Sequence, residues 1–433
     1  MTPPPLQRPE RRGSGSPGPD DPTDSDIPRR PSSSLADIPI LTPARGDRHA
    51  AAPLLASAID GALPHLPPTG RLTVLANDPQ RHTASAPVLA ELVRRVPPAR
   101  IRLVIASGTH DTPVSQREAF ERALCGGAAP ADLAWHDCRS ADLVSIGPGS
   151  RWRGHPWLLD CDGILTIGSV EPHYFAGYTG AHKTATVGAA SHADVEANHA
   201  GALSPEARPC RLTDNPVAAD IFAMLEALES ARPVAAINLV QVGPAVLAAA
   251  GSRPADALAA AVPHAEAAFV RRIDRPADAI VAEVTGPLGH TFYQADKGIK
   301  NTEWAVRDGG CLVLVAPCGG GIGQDHFVSL LRQAPTHAEA VAIVAARGYR
   351  LGDHKAVRLR HLTDPAERGV RASVVSDGLS AEQAALLGLT KAPDVAAALG
   401  AADIRPHEDH VFHARDAGNM AVLPGTAPPA EPY

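Results

Sequence analysis

The sequence predicts an α/β protein built as two α/β domains with mostly parallel sheets and an active-site cleft between them. Two observations give the class. Short runs rich in β-branched residues recur along the chain, separated by loops and by Ala/Leu/Glu/Arg-rich stretches of helical period. Polar residues of chemical interest collect just after several of those runs. Length sets the number of domains, because 433 residues with 44% hydrophobic content suit two ordinary cores better than one.

Residues 1–45, and the first 35 above all, are crowded with Pro, Ser, Gly, Asp and Arg. They hold too little apolar surface to offset the entropy of ordering, so a disordered tail is expected. The first domain then covers 46–270, with RLTVLA (71–76), IRLVIA (101–106), GILTIG (163–168) and AAINLV (235–240) as its clearest strands. A second series, DAIVAEV (278–284), CLVLVAP (311–317) and RASVVSD (371–377), with helical stretches such as HAEAVAIVAARG (337–348) between, makes a second domain over 271–422. The Pro-rich end, 423–433, is expected to fray.

Composition removes several function classes. A net charge of -7 and a pI near 6.2 leave no basic excess to neutralise phosphates, which argues against a nucleic-acid partner. The opening MTPPPLQRPERRG lacks the apolar stretch of a secretory signal, and no run of about 18 apolar residues is present to span a bilayer, so a cytoplasmic protein is expected. Six cysteines without a CxxC pair suggest neither a disulfide framework nor a thiolate zinc site. The absence of GxGxxG after the first strand, and of GxxxxGK, GxSxG and HExxH, disfavours an ordinary dehydrogenase, NTPase, serine hydrolase or zincin.

RLTVLA is followed by NDPQR, IRLVIA by SGTH, GILTIG by SVEPHYFAGYTGAHK, and DAIVAEV by TGPLGHTFYQADK. Loops at the carboxyl ends of parallel strands line one crevice, so these remote segments are expected to converge. Singly, each has a plain structural reading. Asp78 and Arg81 suit a turn with a surface ion pair, and His110 neighbours Thr112, a candidate helix cap. PCGGGIGQ (317–324) suits an ordinary glycine turn as well as an anion cradle. The stretch from Glu171 to His199 is harder to dismiss, carrying His173, His182, Lys183, His192 and His199 among Gly177, Gly180 and Gly188. His407, His410 and His413, beside the fraying end, read as structural.

As a set, NDPQR (77–81), GTHDTP (108–113), EPHYFAGYTGAHKTATVG (171–188), NH (198–199) and YQADK (293–297), with the glycine loop 319–323 and GDHKA (352–356), resemble the nickel-dependent (nickel-pincer nucleotide) lactate racemase family in order over about residues 50–420. The resemblance implies two α/β domains around Ni(II) held by a modified nicotinic acid mononucleotide, pyridinium-3-thioamide-5-thiocarboxylic acid mononucleotide. By motif position Lys183 is its covalent attachment and His199 the metal ligand, with Asp78 and Gln294 also in the cofactor-binding set. His110 and His173 fall on the acid/base pair, Arg81 and Lys297 on the grip for substrate oxygens, and Tyr293 and Phe175 on the pocket walls. The implied partners are a small 2-hydroxy acid and the enzymes that build the cofactor. Ala181 and His182 before the lysine, and His82 after Arg81, depart from the common family pattern.

Those residue types suit the chemistry. The carbon-bound hydrogen of a 2-hydroxy acid is too weakly acidic for a histidine to remove, whereas removal as hydride to the pincer avoids a dianion. One histidine takes the hydroxyl proton, and the planar 2-keto acid then accepts the hydride on its other face. An imidazole suits nickel, and a guanidinium grips a carboxylate while the carbonyl swings. The alternatives are a cofactor-free metal- or nucleotide-binding module on the same fold, or a racemase or epimerase of a larger hydroxy acid or a sugar acid. Lys183 and His199 together argue against the binding module. A metal-dependent hydro-lyase lacks the clustered carboxylates it would need.

Overall fold

The protein is described by a computed structural model over residues 38–44, 51–126, 128–147 and 149–425. In chain order the principal strands are β1 (Ile40–Leu41), β2 (Leu72–Asn77), β3 (Ile101–Ala106), β4 (Asp132–Trp135), β5 (Gly163–Ser169), β6 (Val234–Val242), β7 (Ala245–Ser252), β8 (Val270–Ile273), β9 (Ala277–Glu283), β10 (Val306–Val315), β11 (Arg371–Val375), β12 (Thr390–Lys391), β13 (Val411–Ala414) and β14 (Ala421–Pro424). One six-stranded sheet has the order β7-β6-β5-β2-β3-β4, parallel except for the β6–β7 hairpin. A second, wholly parallel, has the order β1-β13-β9-β10-β11-β12. Each run expected to be a strand is one, and the α/β class with mostly parallel sheets is confirmed.

The reason lies in burial on both faces. LTVLAN in β2 and GILTIGS in β5 are buried almost throughout, which a strand achieves only when helices cover both sides of its sheet. Separate clusters of Leu, Ile, Val and Ala fill those layers, such as Val74, Leu103 and Ile237 in the first sheet and Ile280, Leu312 and Val374 in the second.

Topology determines where a ligand fits. In the first sheet the chain runs β2, β3, β4 in one direction and then returns to place β5 on the other side of β2. The connections therefore part at the carboxyl ends of β2 and β5 and open a crevice there. The second sheet has the same break beside β9, where the chain runs out to β12 and returns to place β13 on the far side.

Both expected tails need correction. Ile40–Leu41 pairs with His413 and Ala414, and Ile38 is buried, because IPIL supplies the apolar side chains that the preceding 35 residues lack. At the other end β14 runs to Pro424 and pairs with β8, so the expected fraying point at 423 falls inside a strand. The remainder of the expected tails, 1–37, 45 and 426–433, lies outside the described residues. Among the described residues no helix is long and apolar enough to cross a membrane, and all six cysteines are free thiols.

Candidate functional site

After β2 the chain makes a short 3-10 turn, Pro79–Arg81, with Asp78 at its head. Asp78 is buried and turns away from the surface ion pair with Arg81 that local sequence allowed. Its Oδ2 instead accepts a 2.7 Å hydrogen bond from Nδ1 of His110, on the loop after β3. A carboxylate only accepts, so this contact fixes the proton on Nδ1 and leaves the Nε2 lone pair of His110 free. Asp78 Oδ1 is buried with no hydrogen-bond partner among the described residues. The His110 loop is held in turn by Gly108, whose N–H donates to Gly188 O at 2.9 Å. Thr112 does not cap the next helix: that helix starts at Val114 after Pro113, and the Thr112 hydroxyl is buried without a partner among the described residues.

After β5 a tight hairpin pairs Pro172–His173 with Gly177–Tyr178. His173 is buried, and its Nδ1 accepts from the Ala176 N–H at 3.2 Å, which puts the ring proton on Nε2. Burial holds its pKa well below the usual histidine value, and the nearby charges of Lys183, Arg81 and Lys297 push it the same way.

Lys183 sits in the short helix Ala181–Ala185, pinned against the sheet by two bonds. Asn238 Oδ1 accepts from the Ala181 N–H at 2.8 Å, and the Thr166 hydroxyl donates to Ala181 O at 2.8 Å. The helix lies so close that a Cβ on Gly168 of β5 would come within 2.4 Å of Ala181 N, and Gly180, at φ +149, makes the entry turn. The Lys183 amine is buried with Nζ 5.6 Å from the centre of the Phe175 ring. Burial, Arg81 and Lys297 depress its pKa well below the ordinary lysine value.

His199 ends the helix His192–Ala200, whose start is capped by Ser191. Its neighbour Asn198 anchors that helix, with Nδ2 donating to Val217 O at 3.1 Å and to Asp220 Oδ2 at 2.9 Å. Burial, and then Lys183, lower the His199 pKa to about 3. The ring is therefore neutral, and its buried Nδ1 has no hydrogen-bond partner among the described residues. The Phe175 ring is buried between two of these groups, 4.5 Å from His173 and 4.9 Å from His199, and it packs behind the cavity rather than lining it.

Asp78, Arg81, His110, His173, Lys183 and His199 thus line one cavity of about 100 Å³ at the crevice that the topology opens. The other expected residues lie on or near the helix Phe292–Thr302, which Thr291 caps. Lys297 is near enough for its charge to act on His173 and Lys183, and its own pKa is lowered by burial while Glu171 opposes that shift. Gln294 lines a separate, more open cavity of about 510 Å³ with His290 and Gly319 of the glycine loop. Tyr293 packs beside His326 and Phe327, and its backbone carbonyl accepts from Lys355 Nζ at 2.7 Å. His182 is buried behind the cavity, stacked on Phe222, with a pKa lowered to about 3 by burial and then by Lys183. His192 merely starts its helix, and His410 and His413 each pair with a different carboxylate, Asp274 and Glu283.

The segment GDHKA (352–356) carries no role that its sequence alone assigns. In the structure His354 and Lys355 are buried beside Tyr174 and Tyr293, and Arg358 reaches Tyr174 O at 3.3 Å. The available signal was a His-Lys pair in the first turn of a helix whose apolar residues Ala356, Val357, Leu359 and Leu362 mark it as a packed one. Among the described residues no three His, Cys, Asp or Glu side chains gather as a metal cage.

Comparison with known proteins identifies the family. Residues 61–209 match the lactate racemase N-terminal domain, and residues 273–412 match the lactate racemase C-terminal domain. The chain is 27% identical over 272 residues to lactate racemase from Thermoanaerobacterium thermosaccharolyticum, covering 60% of this chain, and 29% identical over 271 residues to that from Lactiplantibacillus plantarum, covering 59%. Each match spans 62% of the relative's length. In fold it is similar to the lactate racemase apoprotein of T. thermosaccharolyticum, with a TM-score of 0.78 at 20% identity over 89% of this chain and 94% of that one. It is also similar to a Thermotoga maritima protein of known crystal structure, with a TM-score of 0.67 at 17% identity over 88% of this chain and 100% of that one. With both of the family's domains matched in order, the chain belongs to the lactate racemase family.

Proposed function

We propose that this chain racemises a small 2-hydroxy acid, lactate or a close analogue, with a nickel-pincer nucleotide joined to Lys183 and ligated by His199. In this reading the residues up to about 270 form the cofactor-bearing domain, and those from 271 close the cleft. The observation that carries the reading is the convergence in one cavity of a buried lysine whose pKa is pushed down by burial, a neutral histidine, a guanidinium and two further histidines.

The residues fit the group. The Lys183 amine is poised for covalent attachment, and the neutral imidazole of His199 offers a lone pair of a type nickel prefers. The unpartnered Asp78 Oδ1 offers an acceptor to a cofactor hydroxyl. When bound, the cofactor supplies a hydride acceptor and donor for the substrate carbon.

The chain's own side chains do the rest. Arg81 clasps the substrate carboxylate, and Lys297 adds positive charge on the same side, with Gln294 and Tyr293 on the helix that carries it. His110 takes the hydroxyl proton on Nε2, because Asp78 holds its other proton and stabilises the imidazolium that forms. His173 in its resting tautomer donates a hydrogen bond from Nε2 to the substrate oxygen and keeps its proton, because a neutral ring that gave it up would be left as imidazolate. To accept or return a proton at Nε2 it has to carry one on Nδ1, which breaks the bond from the Ala176 N–H. Dedicated enzymes would build the cofactor, and the free thiols suit the reducing cytoplasm.

The test is intact mass, nickel content and chiral assay of lactate on protein co-produced with a cofactor-building system. A mass increase, about one nickel per chain and racemisation are expected, all lost in Lys183→Ala. An unmodified, nickel-free and inactive chain, made beside a known racemase that loads normally, overturns the reading.

A further inference from the structure

The segment 349–354, from the second half of the chain, packs behind the residues that line the first-half cavity. Leu351 N–H donates to Glu196 Oε1 at 2.9 Å, on the same helix as His199. His354, in the first turn of the helix Asp353–Thr363, is buried between two tyrosines, with Nδ1 2.7 Å from the Tyr349 hydroxyl and Nε2 3.0 Å from the Tyr174 hydroxyl. The Tyr349 oxygen already accepts from the Gly352 N–H at 3.3 Å, so its own proton points to Nδ1. His354 then carries its proton on Nε2 and donates it to Tyr174. Tyr174 stacks on His173 with ring centres 5.2 Å apart, and the His354 ring meets Phe175 edge-on at 5.0 Å.

We propose that His354 is a positioning residue for the reaction: by joining Tyr349 to Tyr174 through its two ring nitrogens, it fixes from the second half of the chain the hairpin that carries His173 and Phe175. This rests on the racemase reading for its consequence in catalysis, but the coupling itself does not. The two hydrogen bonds set the angle of the Tyr174 ring, the stack transmits that angle to His173, and the edge contact keeps Phe175 between His173 and His199. Misplacement of a reacting group by about 1 Å is enough to cost up to about a hundredfold in rate.

The test uses histidine-labelled full-length protein without cofactor, comparing the ring Cε1–H resonances of His173 and His199 in His354→Leu, Tyr174→Phe and a control at the far end of the same helix, Thr363→Val. Tyr174→Phe removes one oxygen and keeps the ring, so it carries the test if His354→Leu does not fold. Both signals are expected to shift in the first two variants and to stay in place in the control. Unmoved signals in a folded Tyr174→Phe protein overturn the proposal. In cofactor-loaded enzyme, kcat for lactate should fall about tenfold in His354→Leu with KM nearly unchanged, and His354→Gln, whose amide retains a donor towards Tyr174, should recover part of the loss. Equal kcat in wild type and His354→Leu also overturns it. If the racemase reading itself fails, wild type is inactive on lactate while the resonances still report the coupling.

Discussion

His110 and His173 face one cavity from two loops, and their surroundings are opposite. His110 has a side chain 32% exposed and leans on a carboxylate that is 1% exposed. His173 is buried, accepts a backbone N–H and is surrounded by positive charge. The first environment holds the ring proton on Nδ1 and leaves Nε2 to accept; the second disfavours a charged ring and leaves Nε2 as a hydrogen-bond donor. Two residues of one type, proposed as an acid/base pair, are therefore not interchangeable at rest, and the difference comes from their neighbours rather than from the loop that carries each.

The sharpest way to break that contrast is to replace each ring by an amide. Glutamine keeps a donor near the Nε2 position but is no base, so His110→Gln should lower kcat/KM by about 10²–10⁴-fold, the usual contribution of a general base. His173→Gln should retain about tenfold more activity than His110→Gln, because donation from that position survives. Enantiomers are equal in energy, so kcat/KM of any variant falls equally in both directions and the comparison has to be made between variants. Equal losses in the two would show that the resting tautomers do not matter. A smaller change probes one side alone: Asp78→Asn keeps the volume and removes the charge that would stabilise the His110 imidazolium, and kcat should fall about 10²–10³-fold while His173-dependent donation is untouched.

Much of this was legible in the sequence, and the boundary of legibility has a physical basis. The strands could be read because double-faced burial writes continuous apolar runs, and the cavity-lining loops because they follow those strands directly. Asp78, His110, His173, Lys183 and His199 converge because topology brings those loops together. What stayed hidden depends on side-chain direction. No spacing reveals that Asp78 turns towards His110 rather than Arg81, that Gln294 faces a different cavity from Lys183, or that His354 reaches from the second half to Tyr174. The strand at Ile40–Leu41 was hidden for a related reason, since two residues are too short to show a period.

A second contrast lies between the cavity and the ion cluster behind it. Glu303 is buried, and burial alone would raise its pKa; Lys300 at 3.0 Å and Arg358 at 2.8 Å more than offset that and hold it below the usual value. A depressed carboxylate contributes stability that is fully present above its unfolded pKa, about 4.3, and is lost as pH falls through the folded value. Glu303→Gln should destabilise the protein by about 3 kcal/mol at neutral pH, since it strands two buried cations, and should weaken the acid-induced loss of stability seen in urea melts between about pH 5 and 3. A variant that melts like wild type across that range would remove the cluster as a source of stability.

Lys183 works in the other direction. The folded state resists its charge, so between the depressed folded pKa and the ordinary value near 10.4 the unfolded chain binds more protons than the folded one. Stability of the cofactor-free protein should therefore rise with pH above neutrality, by at most about 1.4 kcal/mol per pH unit from this one lysine. Lys183→Met removes the titrating group while keeping a long apolar stem, so it should stabilise the cofactor-free protein at pH 7 and flatten the rise towards pH 9. The measurement is the urea midpoint of each protein at both pH values. An unchanged slope would mean that Lys183 is charged in the folded protein and paired by solvent or an anion, and the nucleophilic amine on which attachment depends would then have to be generated only when the cofactor arrives.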